Sequence, residues 1–333
     1  MKKLVIGTSV PAVAPGGIPT FIGYLKKSDT YSDCHFLEWC DRESGSQLSL
    51  GDYSRNKFFR TIASQFKVLS VAHRYEEIEV HSIRTGLFAL IFFRRKCSFF
   101  YHGPGFQEAA VEGSGELSVL RLYIVEALML RNLRKYYTAS RAFRRRLHEN
   151  HGVPIRRIEV VRPQADFDRY RYGALVKKKF NSLDKNGIIS CVICRRLVNR
   201  VGVIEFLEAL RAIDLDEKVR VTIVGSGPLE DRVRSASTLD ERVVFLGELT
   251  EAERDDVYSD SHFNVVPTLH LEGLGMVIYE GLKFGAIPLV TACDGMPELL
   301  EELEVGEYFE NVKRLILAID RSTIRRELNR LCE

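Results

Sequence analysis

Two glutamates, Glu272 and Glu280, stand eight positions apart in the stretch EGLGMVIYE. The glycines at 273 and 275 read as a turn that opens into a helix, with one carboxylate at its mouth and the other about two turns in. A helix start offers unpaired backbone N–H groups and the positive end of its dipole, which suits an anion, most naturally a phosphate. The carboxylates would repel that phosphate. Their chemistry is to accept hydrogen bonds from hydroxyls on both sides of it. A ligand that runs hydroxyls, phosphates, hydroxyls is a nucleotide sugar.

The elements that must position these groups alternate in type. In the second half, NGIISCVICRRL, VRVTIVGSG, RVVFLGEL, HFNVVPT and AIPLVTA read as strands. Between them GVIEFLEALRAI, PLEDRVRSAS (Pro228 in its first turn), EAERDDVYSDS and EGLGMVIYEGLKFG read as helices. In the first half KKLVIGTSV, SQFKVLSVAH, EIEVHSI, KCSFFYHG and RKYYTAS read as strands, while GGIPTFIGYLKK and RTGLFALIFFRR carry helical spacing. RAFRRRLHENHG reads as a helix with Ser140 as N-cap and Gly152 as stop. RRIEVV reads as a strand that leads into an aromatic, polar connector near residues 165–187. Such alternation predicts parallel sheets with helices on both faces, in two Rossmann-like α/β domains facing across a cleft. The expected division is 1–170 and 171–333, and 333 residues suit two domains.

The bulk numbers exclude several classes. No run of apolar residues is long enough to span a bilayer. The short apolar run after the N-terminal lysines reads as a strand rather than a signal peptide. Seven cysteines, scattered and odd in number, fit a reducing cytoplasm. Cys191 and Cys194 form a CxxC, but alternation on a strand puts them on opposite faces, so no metal site is expected. Net charge is only +3 and uneven, with nine Lys or Arg and one acid between Arg131 and Arg157. That stretch lacks the interleaved aromatics of a base-stacking platform, so nucleic acid is not an expected partner. It reads either as a solvated helix face or, with FALIFFRRK at 88–96, as a peripheral contact with the inner membrane face.

The order and spacing of these segments resemble a retaining glycosyltransferase of family 4, in glycosyltransferase group 1, with the GT-B fold. The resemblance covers most of the chain and is strongest from about 186 to 302. It is carried by RRLVNRVGVIEFLEAL, VTIVGSGPLEDRV, VVFLGEL and VVPTLHLEGLGMVIYEGLKFGAIPLVTACDGMPELL. PGGIPTFIGYL, YHGPGFQE and YYTASRAFRRRL match more weakly in the first half.

The resemblance implies roles for particular residues. Glu272 would contact hydroxyls of the transferred sugar and Glu280 the ribose. The N–H groups of Gly273, Leu274, Gly275 and Met276 would cradle sugar and diphosphate. Arg196 would hold the diphosphate and the charge it gains on leaving. The family usually places a lysine where this chain has Val201. Either Arg200 reaches the phosphates from next door, or one positive charge is missing. Gly16 and Gly17, after the first strand, would bring amides to the diphosphate, and Gly225 and Gly227 would flank the nucleotide. His102, at a strand end, would line the donor-sugar pocket unless it is simply a core or turn histidine. Glu108 would face the acceptor.

The implied activity is metal-independent, retaining hexosyl transfer to an acceptor hydroxyl in glycan, glycolipid or polysaccharide biosynthesis. The domain 1–170 would be the acceptor side and 171–333 the nucleotide-sugar side. The nucleotide sugar is substrate rather than cofactor, with UDP favoured over GDP, and the acceptor is a sugar or a lipid-linked sugar. Two other readings use the same parts: a nucleotide-sugar hydrolase or epimerase, and a partner subunit that binds nucleotide sugar without turnover.

Overall fold

The computed structural model describes residues 2–9, 17–40, 47–50, 57–163, 167–216 and 218–332. The chain divides into two compact units, Met1–Ala165 and Asp166–Glu333. Gly16 lies outside the described residues.

The first unit is built on seven parallel strands: β1 (Lys3–Ser9), β2 (His35–Trp39), β3 (Gln47–Ser49), β4 (Glu77–Val80), β5 (Cys97–Tyr101), β6 (Lys135–Thr138) and β7 (Ile158–Val160). Their order is β3-β2-β1-β4-β5-β6-β7. The second unit has six: β8 (Ile188–Cys194), β9 (Lys218–Val224), β10 (Val243–Gly247), β11 (Phe263–Val266), β12 (Ile287–Thr291) and β13 (Glu307–Phe309), in the order β10-β9-β8-β11-β12-β13. Each is a doubly wound, Rossmann-like sheet with helices between its strands, and the architecture is that of the GT-B fold. Strand order reverses between β1 and β4 in one unit and between β8 and β11 in the other. Ligands of open parallel sheets bind outside the carboxyl ends of the strands at such switch points.

Four expectations are corrected. SQFKVLSVAH is not a strand; it belongs to the helix Lys57–Ala72. Its buried positions, Ser64, Gln65, Val68, Val71 and Ala72, follow the helical period, which overrides the β-branched valines. The connector near 165–187 is largely the helix Arg169–Asn186. The Asp168 side chain caps its start, accepting from the Arg171 N–H at 3.0 Å, and Gly187 ends it at φ 72°. The helix after Gly275 is shorter than the spacing suggested, Met276–Leu282, and Pro228 lies in the turn before the helix Glu230–Ser237. The helix Arg141–His151 is capped as expected, by Ser140 and a left-handed Gly152. Arg131, Arg134, Arg141, Arg145 and Arg156 of the basic stretch are exposed. Among the described residues, no helix is long and apolar enough to cross a membrane.

Candidate active site

In the second unit the candidate groups gather at the carboxyl ends of β8 and β11, the switch point. Glu272 sits in the loop between β11 and the helix Met276–Leu282. One carboxylate oxygen accepts the Gly275 N–H at 3.2 Å and the other is ion-paired with the Arg195 guanidinium. Arg195 also donates to Thr268 Oγ1 at 3.3 Å. The Glu272 backbone is clamped from the 294–295 turn: its N–H donates to Asp294 Oδ2 at 3.2 Å and its carbonyl accepts the Gly295 N–H at 3.1 Å. Burial opposes the Glu272 charge, but Arg195, then Arg200 and the Gly275 amide, override it and hold the carboxyl below its ordinary range. Glu272 in turn keeps the largely buried Arg195 charged.

The two adjacent arginines at the end of β8 are placed differently from one another. Arg196 is exposed and makes no side-chain hydrogen bond or ion pair among the described residues, whereas Arg195 takes Glu272. Val201, at the usual lysine position, is 1 % exposed and part of the core. Arg200 donates from Nη1 to the Leu271 carbonyl at 3.1 Å and bears electrostatically on Glu272. Its guanidinium therefore reaches the Glu272 loop from the neighbouring position.

The glycines divide by what they do. Of the amides at the helix mouth, that of Gly275 is taken by Glu272, while those of Gly273, Leu274 and Met276 have no acceptor among the described residues. The Leu274 side chain is buried, so only its backbone is available to a ligand. Gly225 (φ +136°) and Gly227 (φ +155°) serve close packing. A Cβ at either would stand 1.9 Å from the Arg195 carbonyl oxygen or 2.4 Å from that of Leu197. The Leu197 N–H donates to Ser226 O at 2.9 Å, tying the arginine loop to this turn.

Glu280 is half-buried one helix turn further in. It meets the Tyr258 hydroxyl at 3.4 Å and Arg254 Nη1 at 4.0 Å. Burial raises its pKa, and Arg254 and Tyr258 offset only part of that rise.

In the first unit His102 follows β5. Its Nε2 lies 2.8 Å from Nδ1 of His81, whose Nε2 lies 2.8 Å from the buried Glu79 carboxylate. Burial, and then the neighbouring His81, push the His102 pKa well below its ordinary value, so its ring is neutral at neutral pH. The helix Gly17–Leu25 covers this ring, with the Phe21 centroid 5.1 Å away, edge to face. Gly17, its first residue, is exposed, and a Cβ there would meet nothing within 4 Å. Glu108 lies in the helix Gly105–Val111, and a Cβ on Gly103 would stand 3.3 Å from its Oε1. His102 and Glu108 thus border the same HGPG loop.

Sequence reasoning missed Arg195, Asp294, Tyr258, Arg254, His81 and Glu79. The repeated arginine at 195–196 and the HS that ends EIEVHS were the available signals. A pocket of ≈ 400 Å³ in the second unit is lined by Glu205, Thr268, Thr291, Cys293 and Lys313 among others, and meets the site through Thr268, which Arg195 contacts. None of the candidate residues lines it. The converging charges at Glu272 mark the chemistry more directly than that hollow does. Among the described residues no three His, Cys, Asp or Glu side chains cluster as a metal site.

Residues 189–323 match the family model "Glycosyl transferases group 1". No curated protein matches the chain in sequence. Several solved structures share its fold. HepE from Anabaena, solved in complex with UDP-glucose, superposes with a TM-score of 0.72 at 18% identity, over 98% of this chain and 93% of that one. Sucrose-phosphate synthase from Thermosynechococcus elongatus gives 0.71 at 16% identity, over 100% and 94%. WaaG, a glycosyltransferase involved in lipopolysaccharide biosynthesis, gives 0.68 at 13% identity, over 99% and 94%. At such identities the likeness is one of fold.

Proposed function

We propose, from the premise that residues 189–323 form a group 1 glycosyl transferase domain, that the chain is a retaining glycosyltransferase moving a sugar from a nucleoside diphosphate sugar to an acceptor hydroxyl. The observation that carries this reading is the convergence at the β8/β11 switch point of an ionised Glu272, the guanidinium groups of Arg195 and Arg200, and the unpaired amides of Gly273, Leu274 and Met276.

In this reading the amides and guanidiniums receive the donor diphosphate, and Arg196 on the same loop adds a further charge. As the anomeric C–O bond to phosphate breaks, the negative charge grows on oxygens faced by fixed dipoles and cations, which is where electrostatic preorganisation lowers a barrier most. Glu272, held ionised, accepts from the sugar hydroxyls. Glu280 accepts from the ribose. The acceptor hydroxyl attacks the anomeric carbon on the face the diphosphate leaves, and a departing phosphate oxygen takes its proton. Configuration is retained, and arginines and amides supply the positive charge, so the reaction proceeds without a metal. The reach of Arg200 past the buried Val201 favours an active enzyme over a partner without turnover.

A uridine donor is preferred over a guanosine one, in line with the UDP-glucose complex of HepE. The reading places the chain in the cytoplasm. Exposed Ile91 and Phe92 beside exposed Arg95 suit a lipid-linked acceptor presented at the inner membrane face.

The test is thermal-shift measurement across uridine, guanosine and adenosine diphosphates and their sugars, followed by nucleotide release with and without acceptors. Stabilisation by a diphosphate sugar and acceptor-dependent release are expected. Equal release without acceptor would make the chain a hydrolase. Absence of stabilisation by every nucleotide would remove the reading.

A further inference from the structure

The helix Glu116–Met129 of the first unit turns an apolar side outward. Leu117 is 84 % exposed, and Leu120, Ile124 and Leu128 are each about half exposed. At about 100° per residue these four fall on one stripe. Glu126 stands half a turn round from Leu117 and is buried. It anchors the helix inward: one carboxylate oxygen accepts the Gly105 N–H at 2.7 Å, and the other lies 3.2 Å from His151 Nε2. A helix packed on a sheet ordinarily does the reverse, with its apolar stripe inward and its charges in water. The apolar surface does not end with this helix. Arg94 donates to the carbonyls of Leu128 and Arg131 at 2.9 and 3.0 Å, which ties it to the end of the helix Ile83–Phe92. Ile91 and Phe92 are exposed there. Edge-to-face contacts from Phe92 to Phe88 and from Phe88 to Phe66, with centroids 5.7 and 6.1 Å apart, carry the surface on to the helix Lys57–Ala72, where Phe66 is exposed. A continuous apolar surface over three helices marks an interaction site.

Charge selects the occupant. Over residues 83–96 and 116–131 the exposed charged side chains are Arg84, Arg95, Arg121 and Arg131 against one acid, Glu116, at a helix start. Arg121 stands within the apolar stripe, one turn from Leu117 and one from Ile124, near the middle of its helix. A second copy of the chain, pairing about a two-fold, would lay this patch on itself. The two Arg121 guanidiniums would then approach each other while losing water, a costly arrangement. An anionic bilayer removes that conflict. The leucines enter the boundary between headgroups and acyl chains, the aliphatic stem of Arg121 lies along them, and its guanidinium meets lipid phosphate. We propose that the outer face of the helix Glu116–Met129, with Ile91 and Phe92 beside it, is a docking surface for an anionic lipid bilayer. Such docking needs only the first unit and is independent of the transferase reading. It rests on a helix that neither the basic stretch 131–157 nor the segment 88–96 includes.

Flotation of the whole protein with extruded vesicles tests this, using phosphatidylcholine alone and phosphatidylcholine with about 30 mol % phosphatidylglycerol. Flotation with the anionic vesicles only, weakened by high salt, is expected. The triple variant Leu117→Gln, Leu120→Gln, Ile124→Gln should lose it with its melting temperature unchanged, because all three side chains are exposed. Arg121→Gln alone should weaken binding about fivefold. In the unaltered protein, hydrogen exchange of the amides across 116–129 should slow when anionic vesicles are added, a readout that depends on no variant. Absence of flotation with anionic vesicles, full flotation of the triple variant, or exchange unmoved by vesicles overturns the proposal. So does a dimer in sedimentation velocity that the triple variant splits, since a second copy then covers the face. Thermal shifts with nucleotides in the absence of vesicles report on the transferase reading, so either can fail alone.

Discussion

Arg195 and Glu272 are joined in an ion pair that bridges the end of β8 to the loop after β11, and the same carboxylate takes the N–H of Gly275. The pair ties the strand that begins the second sheet to the start of the helix Met276–Leu282. It also sets two adjacent arginines apart, with Arg195 paired to Glu272 and Arg196 exposed.

Arg195→Ala should therefore lower both turnover and stability, because it removes the ion-pair partner of a largely buried Glu272 and leaves it only the Gly275 N–H and Arg200, at a cost of about 1–3 kcal/mol. Arg196→Ala should leave the melting temperature unchanged and weaken donor-diphosphate turnover only. Melting curves and initial rates on the two variants check this. Equal melting losses would show that the pair is not what holds the loop.

Glu272→Ala should abolish the extra affinity of a diphosphate sugar over its nucleoside diphosphate, while binding of the diphosphate alone survives. Calorimetric titration with both ligands reads the difference. A parallel loss of both affinities would place Glu272 away from the sugar.

Glu280→Ala should weaken nucleoside diphosphate binding by about 1–3 kcal/mol. If Glu280 accepts from the ribose, a 2′-deoxynucleotide should bind the unaltered protein correspondingly less well and the variant no worse than the ribonucleotide does. Additive losses from the two changes would assign the ribose to another group.

Glu79 gives the protein an acid limit. Burial disfavours its charge, but His81 and Lys3 override that and take its pKa down from 4.5 to about 2. The folded state thus binds fewer protons than the unfolded chain between those values. The stabilisation is fully present above about 4.5 and is lost as pH falls toward about 2, by about 3 kcal/mol in all. Urea midpoints measured down this range should fall more steeply for the unaltered protein than for Glu79→Gln.

Two glycine substitutions separate packing from ligand contact. Gly225→Ala drives a Cβ to 1.9 Å from a backbone oxygen at a left-handed φ and should cost about 4 kcal/mol or more. Gly17→Ala meets nothing and should fold normally. Any loss of donor affinity in Gly17→Ala then reports on the ligand. Unchanged affinity there would take Gly17 out of the site.

The sequence made the second sheet legible because its strands are short, β-branched and bounded by glycines, and because Glu272, Glu280 and Gly275 sit at fixed offsets around one turn. What it hid follows from physics rather than from weak signal. Val68 and Val71 suggested a strand, and only the spacing of the buried residues in Lys57–Ala72 reveals a helix. Arg195 and Arg196 are the same residue type side by side, and backbone direction at the end of β8 decides which is buried. Glu79 and His81 read as a solvent face because a polar residue at every second position of a strand usually is one. A parallel sheet covered on both faces inverts that inference. For Arg200 the sequence left two alternatives open, and its contact with the Leu271 carbonyl beside the buried Val201 could not be read from residue type.

The seam between the arginine turn and the Gly225–Gly227 turn has one further consequence. With the carbonyls of Arg195 and Leu197 pressed against glycine backbone, the turn has no slack. Its guanidinium groups can respond to a ligand by rotating about their own bonds, but the main chain beneath them cannot follow. Changing donor preference by redesign should therefore succeed through side-chain exchange around the seam. Insertions or deletions within 195–202 should instead unmake the folded second unit.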